Sequence, residues 1–225
     1  MVRPAYSTPL PLPAGALRRR LEVFSPKLAR RISLGSYAAW RCWVALEANP
    51  GVLSFCERPA RVAGRNSRLI DFWVQLAGTA GAEFWMLWNP SGDAGGSGAV
   101  GDVAAVDDIA AVSLATDGPP KRVHDHPVRA ITPELLSTWE VPVANWAQII
   151  PVLVSFRGYR QPLLEQSIVV LLVRYMPLAA ILAHFPEQDH DEVTAALYWL
   201  LATGRVLSPD LAIAPLSNAS CFRRT

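Results

Sequence analysis

Hydrophobic side chains between residues 36 and 47 recur every three or four positions and group on one broad face. That spacing predicts an amphipathic helix, which the Asn-Pro-Gly run at residues 49–51 is expected to end. Upstream, residues 16–31 have a mixed helical character, and we expect part of this segment to be helical.

Several short apolar runs then predict strands, because they are rich in β-branched and aromatic residues and are separated by glycine and proline. These runs are residues 52–56, 60–63, 68–76, 83–88 and 128–131. Residues 89–101 are rich in glycine but lack the pattern of a phosphate-binding loop, so we interpret them as a linker. A helix is expected at residues 102–115, and Thr132, as N-cap before Pro133, begins another. Helices and strands in this order predict an α/β domain.

The C-terminal part of the chain has a different pattern. Three helical stretches are predicted at residues 163–175, 178–184 and 191–203, and Gly204 ends the third. The alternation in residues 205–216 predicts a short β-wing. Three helices followed by a small hairpin are typical of a winged-helix domain; a helical dimerisation domain is the alternative. The third helix begins with acidic residues, which disfavours direct DNA reading by it and favours contact with a protein.

Composition adds limits to this picture. The 225 residues are 51% hydrophobic and 18% charged, with a net charge of +2, which suits one large or two modest globular domains. Three scattered cysteines do not have zinc or disulfide spacing. The apolar runs, such as residues 168–173, are too short to span a membrane. We therefore expect a soluble, cytoplasmic protein without a membrane partner.

The positive charge is almost all arginine, since Lys27 and Lys121 are the only lysines. Guanidinium groups make bidentate contacts with phosphate, so an early cluster of arginines predicts a surface for double-stranded DNA. A solvated helix face is the alternative interpretation. The candidate DNA-binding residues are Arg18, Arg19, Arg20, Arg30, Arg31 and Arg41.

Several short motifs occur in an order that resembles the TnsA family, the endonuclease subunits of Tn7-like transposons. They are Ser36, the Asn-Pro run beginning at residue 49 and ending at Pro59, Ile70-Asp71-Phe72, the Thr132-Pro133-Glu134 helix start, Asn145-Trp146, and the tail from residue 162 to 216. No single motif is specific, but their order and spacing cover nearly the whole chain.

The resemblance implies a fold and partners. The fold would be a restriction-endonuclease-like PD-(D/E)xK domain, class α/β, followed by a small helical winged-helix domain. The expected divisions are a proline-rich arm at residues 1–15, a nuclease-fold domain at 16–155 and a winged-helix domain at 156–225. The implied partners are duplex DNA, a DDE transposase subunit and an ATPase-type transposition regulator.

The residues that the chemistry requires are only partly present. In this fold, carboxylates from a helix and two adjacent strands hold a divalent cation, and a lysine beside them assists the attacking water. The helix glutamate corresponds to Ala39, and the strand aspartate is present as Asp71. The E-x-K segment falls within residues 85–88, which contain neither acid nor lysine. Glu83 would serve only after a register shift. We therefore expect an impaired catalytic site, with Asp71 as its remnant and as the one doubtful metal ligand.

Two alternatives stay open. The chain could be an active metal-dependent endonuclease that cuts transposon 5′ ends, using Mg²⁺ and completing its site with Glu83, Glu57 or a residue of a partner. It could also be a winged-helix regulator that shares only the tail with the family. The interpretation that we favour, an impaired site, needs no cofactor. A metal site at His124-Asp125-His126 is disfavoured, because the surrounding prolines indicate an exposed loop.

Overall fold

A computed structural model of the protein describes residues 6–13, 20–62, 68–78, 81–89 and 118–225. Within these ranges it has a mixed α/β architecture with six α-helices and a mixed five-stranded sheet. None of the described helices is long and apolar enough to cross a membrane. The helices are α1 Tyr37–Ala48, α2 Pro133–Thr138, α3 Glu140–Ser155, α4 Pro162–Leu171, α5 Leu178–His184 and α6 His190–Ala202. The strands are β1 Leu21–Ser25, β2 Arg30–Leu34, β3 Val52–Glu57, β4 Phe72–Leu76, β5 Ala82–Leu87, β6 Arg122–Val123, β7 His126–Ile131, β8 Met176–Pro177, β9 Val206–Leu207 and β10 Cys221–Arg224.

The chain divides into two compact units that do not follow the expected division at residue 156. The first contains the described residues of Met1–Val23, Ile32–Trp40 and Ser54–Leu135. The second contains Phe24–Arg31, Arg41–Leu53 and Leu136–Thr225. Two segments from the N-terminal half, Phe24–Arg31 and Arg41–Leu53, therefore belong to the same unit as the tail. A single boundary in the sequence cannot separate the two units.

The five-stranded sheet has the order β3-β4-β5-β7-β6. β5 is antiparallel to β4 and parallel to β7, so a crossover connection must join the two parallel strands. That connection includes residues 90–117, which lie outside the described residues, and with them the expected helix at 102–115 and nearly all of the expected linker.

The first unit has an apolar core that includes residues from the N-terminal arm. Trp73 and Phe84 lie in this core, and the ring of Tyr6 packs on both, with ring centroids 5.9 and 5.2 Å away. The backbone N–H of Leu10 donates to the carbonyl oxygen of Arg58 at 2.9 Å. Residues 6–13 of the predicted arm therefore pack against the unit.

In the second unit, elements follow the order α4-β8-α5-α6-β9-β10, and the strands form an antiparallel sheet in the order β8-β10-β9. α6 is the central helix and packs against α3, α4 and α5. Gly204 follows α6 with a φ of +73°, a backbone conformation that favours glycine. A Cβ atom at this position would also lie 2.9 Å from the Cβ of Pro50.

Most predicted elements are confirmed, with ends that shift by a few residues. The helix predicted at 36–47 is α1, the strands predicted at 52–56, 83–88 and 128–131 are β3, β5 and β7, and the three tail helices are α4, α5 and α6. The hydroxyl of Thr132 accepts from the backbone N–H of Leu135 at 3.3 Å, so the predicted cap is also confirmed.

Four local predictions were wrong. The described part of residues 16–31 contains strands β1 and β2 in place of a helix, because Ala29 between them has a left-handed φ of 52° that interrupts helical geometry. In place of the strand predicted at 60–63, the described residues 60–62 form an isolated antiparallel bridge from Arg61 to Leu69. The strand predicted from residue 68 begins at Phe72. The wing predicted within 205–216 pairs β9 with the later strand β10, and a 3₁₀ helix, Pro209–Ala212, follows β9.

Asn145 on α3 explains how the segment between β9 and β10 is held. Its side chain is buried, and its amide nitrogen donates to the carbonyl oxygens of Leu211 and Ala214 at 2.9 and 2.8 Å. Its amide oxygen accepts from the backbone N–H of Leu216 at 2.7 Å. One side chain thus replaces the ladder hydrogen bonds that this segment lacks.

We predict that Asn145→Leu lowers the free energy of unfolding by about 2–4 kcal/mol, because three backbone groups lose their partner. Chemical unfolding followed by tryptophan fluorescence measures this change. Gln148→Ala is the matched control, since the Gln148 side chain is exposed and donates to the Ala144 carbonyl oxygen of its own helix. Equal stability of the two variants would contradict the assigned role.

Candidate functional site

Asp71, the predicted remnant of the metal site, lies immediately before β4 and is half-buried. Its Oδ2 accepts a hydrogen bond from the backbone N–H of Leu87 at 2.7 Å. The guanidinium of Arg68 donates to the carbonyl oxygen of the same Leu87. The two side chains therefore bind both polar groups of one residue of β5.

These contacts replace part of a strand. The ladder between β4 and β5 ends at the pair Phe72–Trp85, so β4 does not reach Leu87. Asp71 supplies the acceptor and Arg68 the donor that a longer β4 would have supplied. Arg68 also lies over the ring of Trp88, with its Cζ 5.0 Å from the ring centroid. The carboxylate therefore has a structural role at the end of the sheet.

Burial raises the pKa of Asp71 to about 6, while the hydrogen bond from Leu87 and the charge of Arg68 act in the opposite direction. The environment thus favours the protonated carboxyl group more than water does. A divalent cation requires the ionised form, and Asp71 has already given one oxygen to a backbone N–H. Both facts weaken Asp71 as a metal ligand.

The register of the sheet separates Glu83 from Asp71. Val74 pairs with Glu83 and Phe72 pairs with Trp85, and paired residues share a face of the sheet. Since side chains alternate along a strand, Asp71 lies on the opposite face from Glu83, at the level of Met86. Glu83 accepts from the indole N–H of Trp85 at 2.6 Å. The register shift that Glu83 would need is absent from the described sheet.

The helix position of the expected site also lacks a ligand. Ala39 is buried in α1, and its backbone N–H donates to the hydroxyl of Ser36 at 3.1 Å. Ser36, one of the positions at which the sequence resembles the TnsA family, is therefore the N-cap of α1. Met86, the residue at the level of Asp71 on β5, is fully buried and apolar.

The other candidate ligands are dispersed. Glu57 is buried, with its Oε1 3.9 Å from a guanidinium nitrogen of Arg58. His124 and Asp125 have positive φ angles of 45° and 65° in the turn between β6 and β7, and the Nδ1 of His124 is hydrogen-bonded to the Tyr6 hydroxyl at 3.0 Å. Among the residues that the structure describes, no three His, Cys, Asp or Glu side chains form a group that could hold a metal.

The predicted DNA-binding arginines have unequal roles. Arg41 donates to the carbonyl oxygen of Leu136, which makes it a structural contact. Arg20 forms an ion pair with Glu22, and Arg30 donates to the carbonyl oxygen of Arg31 at 3.3 Å. The Arg31 side chain lies on β2 and is exposed, so it is the described member best placed for phosphate. The remaining two candidates, Arg18 and Arg19, lie outside the described residues.

A buried polar cluster in the second unit was not predicted. The Glu47 carboxylate accepts from the hydroxyl of Ser25, the indole N–H of Trp43 at 3.1 Å and the backbone N–H of Lys27 at 3.1 Å. The Lys27 ammonium donates to the carbonyl oxygens of Leu46 and Asn49, at 2.8 and 2.6 Å.

Burial raises the pKa of Glu47, and it lowers the pKa of Lys27 to about 8. The cluster fastens the β1–β2 turn to the C-terminal end of α1, where a cation also stabilises the helix dipole. Lys27 is one of only two lysines in the chain, and it lies twenty residues before Glu47. The rarity of lysine was the one feature of the sequence that could have drawn attention to this cluster.

The first turn of α6 carries acidic side chains, whereas Glu165 on α4 is paired with Arg160 at 2.6 and 2.8 Å. Asp189 caps α6 by accepting from the backbone N–H of Asp191 at 2.7 Å, and Glu192 accepts from Gln161 at 2.7 Å. The basic residues of the sheet lie elsewhere: Arg223 on β10 stacks over the ring of Tyr175 at 4.8 Å. The start of α6 is therefore an acidic surface.

No known protein-family model matches the chain, and no curated protein is similar to it in sequence.

We predict that Asp71→Ala lowers the free energy of unfolding by about 1–3 kcal/mol, because the Leu87 N–H loses its acceptor. Free catalytic carboxylates do not support the fold in this way. Urea unfolding of the wild type and the variant at one pH measures the loss, and unchanged stability would show that the contact is dispensable.

The same residue gives a pH dependence. The pKa of Asp71 is about 6 in the folded protein against an ordinary value of 3.8, so the folded state binds the proton more tightly. The stabilisation that comes from this tighter proton binding is fully present below pH 3.8, the ordinary pKa, and is lost as the pH rises through about 6. The free energy of unfolding of the wild type minus that of Asp71→Asn, whose side chain does not titrate, should therefore decrease from pH 4 to pH 7. A difference that is constant or that grows with pH would contradict the raised pKa.

Proposed function

We propose that this chain is a DNA- and partner-binding component of a Tn7-like transposition or other mobile-element system, related to TnsA endonucleases but with an impaired nuclease site. The observation that carries the proposal is the position of Asp71. It lies at the start of a strand in a mixed sheet, where the nuclease fold has its aspartate, but Ala39 and Met86 accompany it where carboxylates would be needed.

The order of the elements from α1 to β7 supports the nuclease-type fold. α1 precedes three strands of one sheet, β3, β4 and β5, and the sheet continues with β7 parallel to β5. Carboxylates on a helix and on two adjacent strands would converge in such a fold. The order of elements is thus compatible with a nuclease-type fold. The side chains at Ala39 and Met86 argue against metal-dependent hydrolysis of DNA.

The arrangement of the second unit supports a winged-helix domain. Three helices, α4, α5 and α6, are followed by the antiparallel pair β9–β10. In helix-turn-helix proteins the N-terminal residues of the last helix contact DNA bases. Here that end carries Asp191 and Glu192, which repel phosphate. We therefore assign this unit to protein contact, with an ATPase-type regulator as the partner that the resemblance implies.

We predict that the full chain does not nick supercoiled plasmid or transposon-end DNA with Mg²⁺ or Mn²⁺. A single structural carboxylate does not hold the metal that activates water in this fold. Gel analysis of topoisomers over time is the measurement, and Asp71→Ala is the matched control. Metal-dependent nicking that disappears in Asp71→Ala would identify an active endonuclease instead.

We predict that duplex DNA binding depends on Arg31. Arg31→Ala should weaken binding and reduce the slope of log K against log salt by about 0.9, the value for one lost phosphate contact. Glu22→Gln should do the opposite, because it releases Arg20 from an ion pair. Fluorescence anisotropy with labelled duplex at several salt concentrations measures both.

Arg41→Ala is the contrasting variant for this experiment. Because Arg41 contacts a backbone carbonyl, its loss should lower stability and leave the salt slope unchanged. If Arg31→Ala and Glu22→Gln leave both affinity and slope unaltered, these side chains form only a solvated surface.

A further inference from the structure

The exposed face of α4 differs from that of most surface helices because none of its side chains is charged. Surface helices ordinarily carry charged residues on the side that faces water. The single charged residue of α4, Glu165, is buried and hydrogen-bonded to Arg160 at 2.6 and 2.8 Å. The exposed residues of the helix are Pro162, Leu163, Gln166, Ser167 and Val170. An exposed face of this composition is typical of a contact between proteins.

The same face has a projecting side chain at one end and a groove towards the other. Leu163, in the first turn of α4, is 86% exposed. A groove of about 440 Å³ is lined by Gln166, Ser167, Val170, Leu171 and His184. Ser167, Val170 and Leu171 are spaced i, i+3 and i+4, which is the spacing of a hole that receives one side chain of a neighbouring helix. The face therefore carries both a knob and a hole.

The knob and the hole fit each other when a second copy of α4 packs antiparallel to the first. About a two-fold axis that passes between Gln166 and Ser167, Leu163 of each copy lies opposite Val170 of the other. Both leucines then enter the grooves at the same time, as a symmetric interface requires. A parallel pair would place Leu163 against Leu163 and leave both grooves empty, so the antiparallel arrangement is favoured.

The polar residues at the centre of the face are also complementary to their own copies. The Oε1 atom of Gln166 accepts from a guanidinium nitrogen of Arg205 at 3.3 Å, so its amide nitrogen is the group that remains to donate outward. The hydroxyl of Ser167 donates to the carbonyl oxygen of Leu163 at 3.0 Å, so its oxygen remains to accept. In the antiparallel pair Gln166 lies opposite Ser167, and one hydrogen bond can form on each side of the axis.

The absence of charge favours a second copy over other partners. Nucleic acid binding relies on cationic side chains that contact phosphate, and α4 exposes none. Beside a two-fold axis each residue lies near its own copy, so a charged residue there would be repelled. The ten residues of α4 span about 15 Å. A contact of this length buries less than the roughly 800 Å² per partner of a standard interface, so the dimer should be weak.

We propose that the chain forms a weak symmetric dimer through α4, with Leu163 of each copy in the groove of the other and with hydrogen bonds between Gln166 and Ser167 on both sides of the axis. The acidic start of α6 and the nuclease-type unit have no part in this contact. The dimer is therefore independent of the proposed role in transposition.

Sedimentation velocity of the full chain at about 1–200 µM tests the proposal. A reversible equilibrium between monomer and dimer is expected, with a dissociation constant on the order of 10 µM. Val170→Glu should raise this constant at least about ten-fold, because the carboxylate would lie in an apolar contact. Ser167→Ala should raise it about ten-fold, since two hydrogen bonds are lost. Ile213→Glu is the matched control and should dimerise like the wild type, because Ile213 is 80% exposed but lies between β9 and β10.

A mixing experiment tests the antiparallel register. Leu163→Arg and Val170→Glu should each be monomeric alone, because each homodimer would place two charges in the contact. In an equimolar mixture the introduced arginine of one chain faces the introduced glutamate of the other, and the remaining leucine and valine face each other. The mixture should therefore form a heterodimer with a dissociation constant within about five-fold of the wild-type value. A parallel contact would not bring the two introduced charges together.

The proposal is overturned if the wild type stays monomeric up to about 200 µM, if Val170→Glu dimerises like the wild type, or if the mixture of the two charged variants stays monomeric. In a monomeric wild type, a lower free energy of unfolding for Val170→Glu would indicate that a segment of the chain itself covers the face. Leu163 and Val170 are 86% and 60% exposed, so their substitution leaves the core intact, and circular dichroism establishes that each variant is folded.

Discussion

The central strand of the five-stranded sheet, β5, is buried on both faces, so each of its peptide groups needs a partner. β7 satisfies one side, but β4 begins too late to reach Leu87. Asp71 and Arg68 complete the sheet with their side chains. A carboxylate used in this way is fixed by the fold, and its position alone does not indicate catalysis.

The second unit satisfies its irregular backbone by the same means. Glu47 accepts two hydrogen bonds from Ser25 and Lys27 at the β1–β2 turn and a third from Trp43 of its own helix. Asn145 makes three hydrogen bonds to the segment after β9. Each is a buried polar side chain that binds a stretch of chain without regular pairing. Such contacts give specificity, since a buried polar group is stable only in the one arrangement that satisfies it. An apolar substitute would fill the space but would not fix the turn.

Sequence reasoning predicted the elements that depend on local patterns. The spacing of apolar residues located α1, β5 and the tail helices. The expectations about Asp71 and Ala39 came from the resemblance to the TnsA family, and the spacing of apolar residues had no part in them. Sequence reasoning could not predict which face Glu83 occupies, because that follows from the pairing register of two strands. It also missed the true partner of β9, since the contacts that arrange this segment join residues about seventy positions apart, such as Asn145 and Leu216.

Gly204 has a consequence for how relatives of this chain could be recognised. Its positive φ disfavours other residues, and its close approach to Pro50 leaves no space for a Cβ atom. Two positions that are distant in sequence are thus constrained together: any substitution at residue 204 requires a compensating change at residue 50 as well as a change of backbone. Divergent relatives should therefore retain or exchange the two residues jointly. In an alignment of such relatives, residues 50 and 204 should therefore covary.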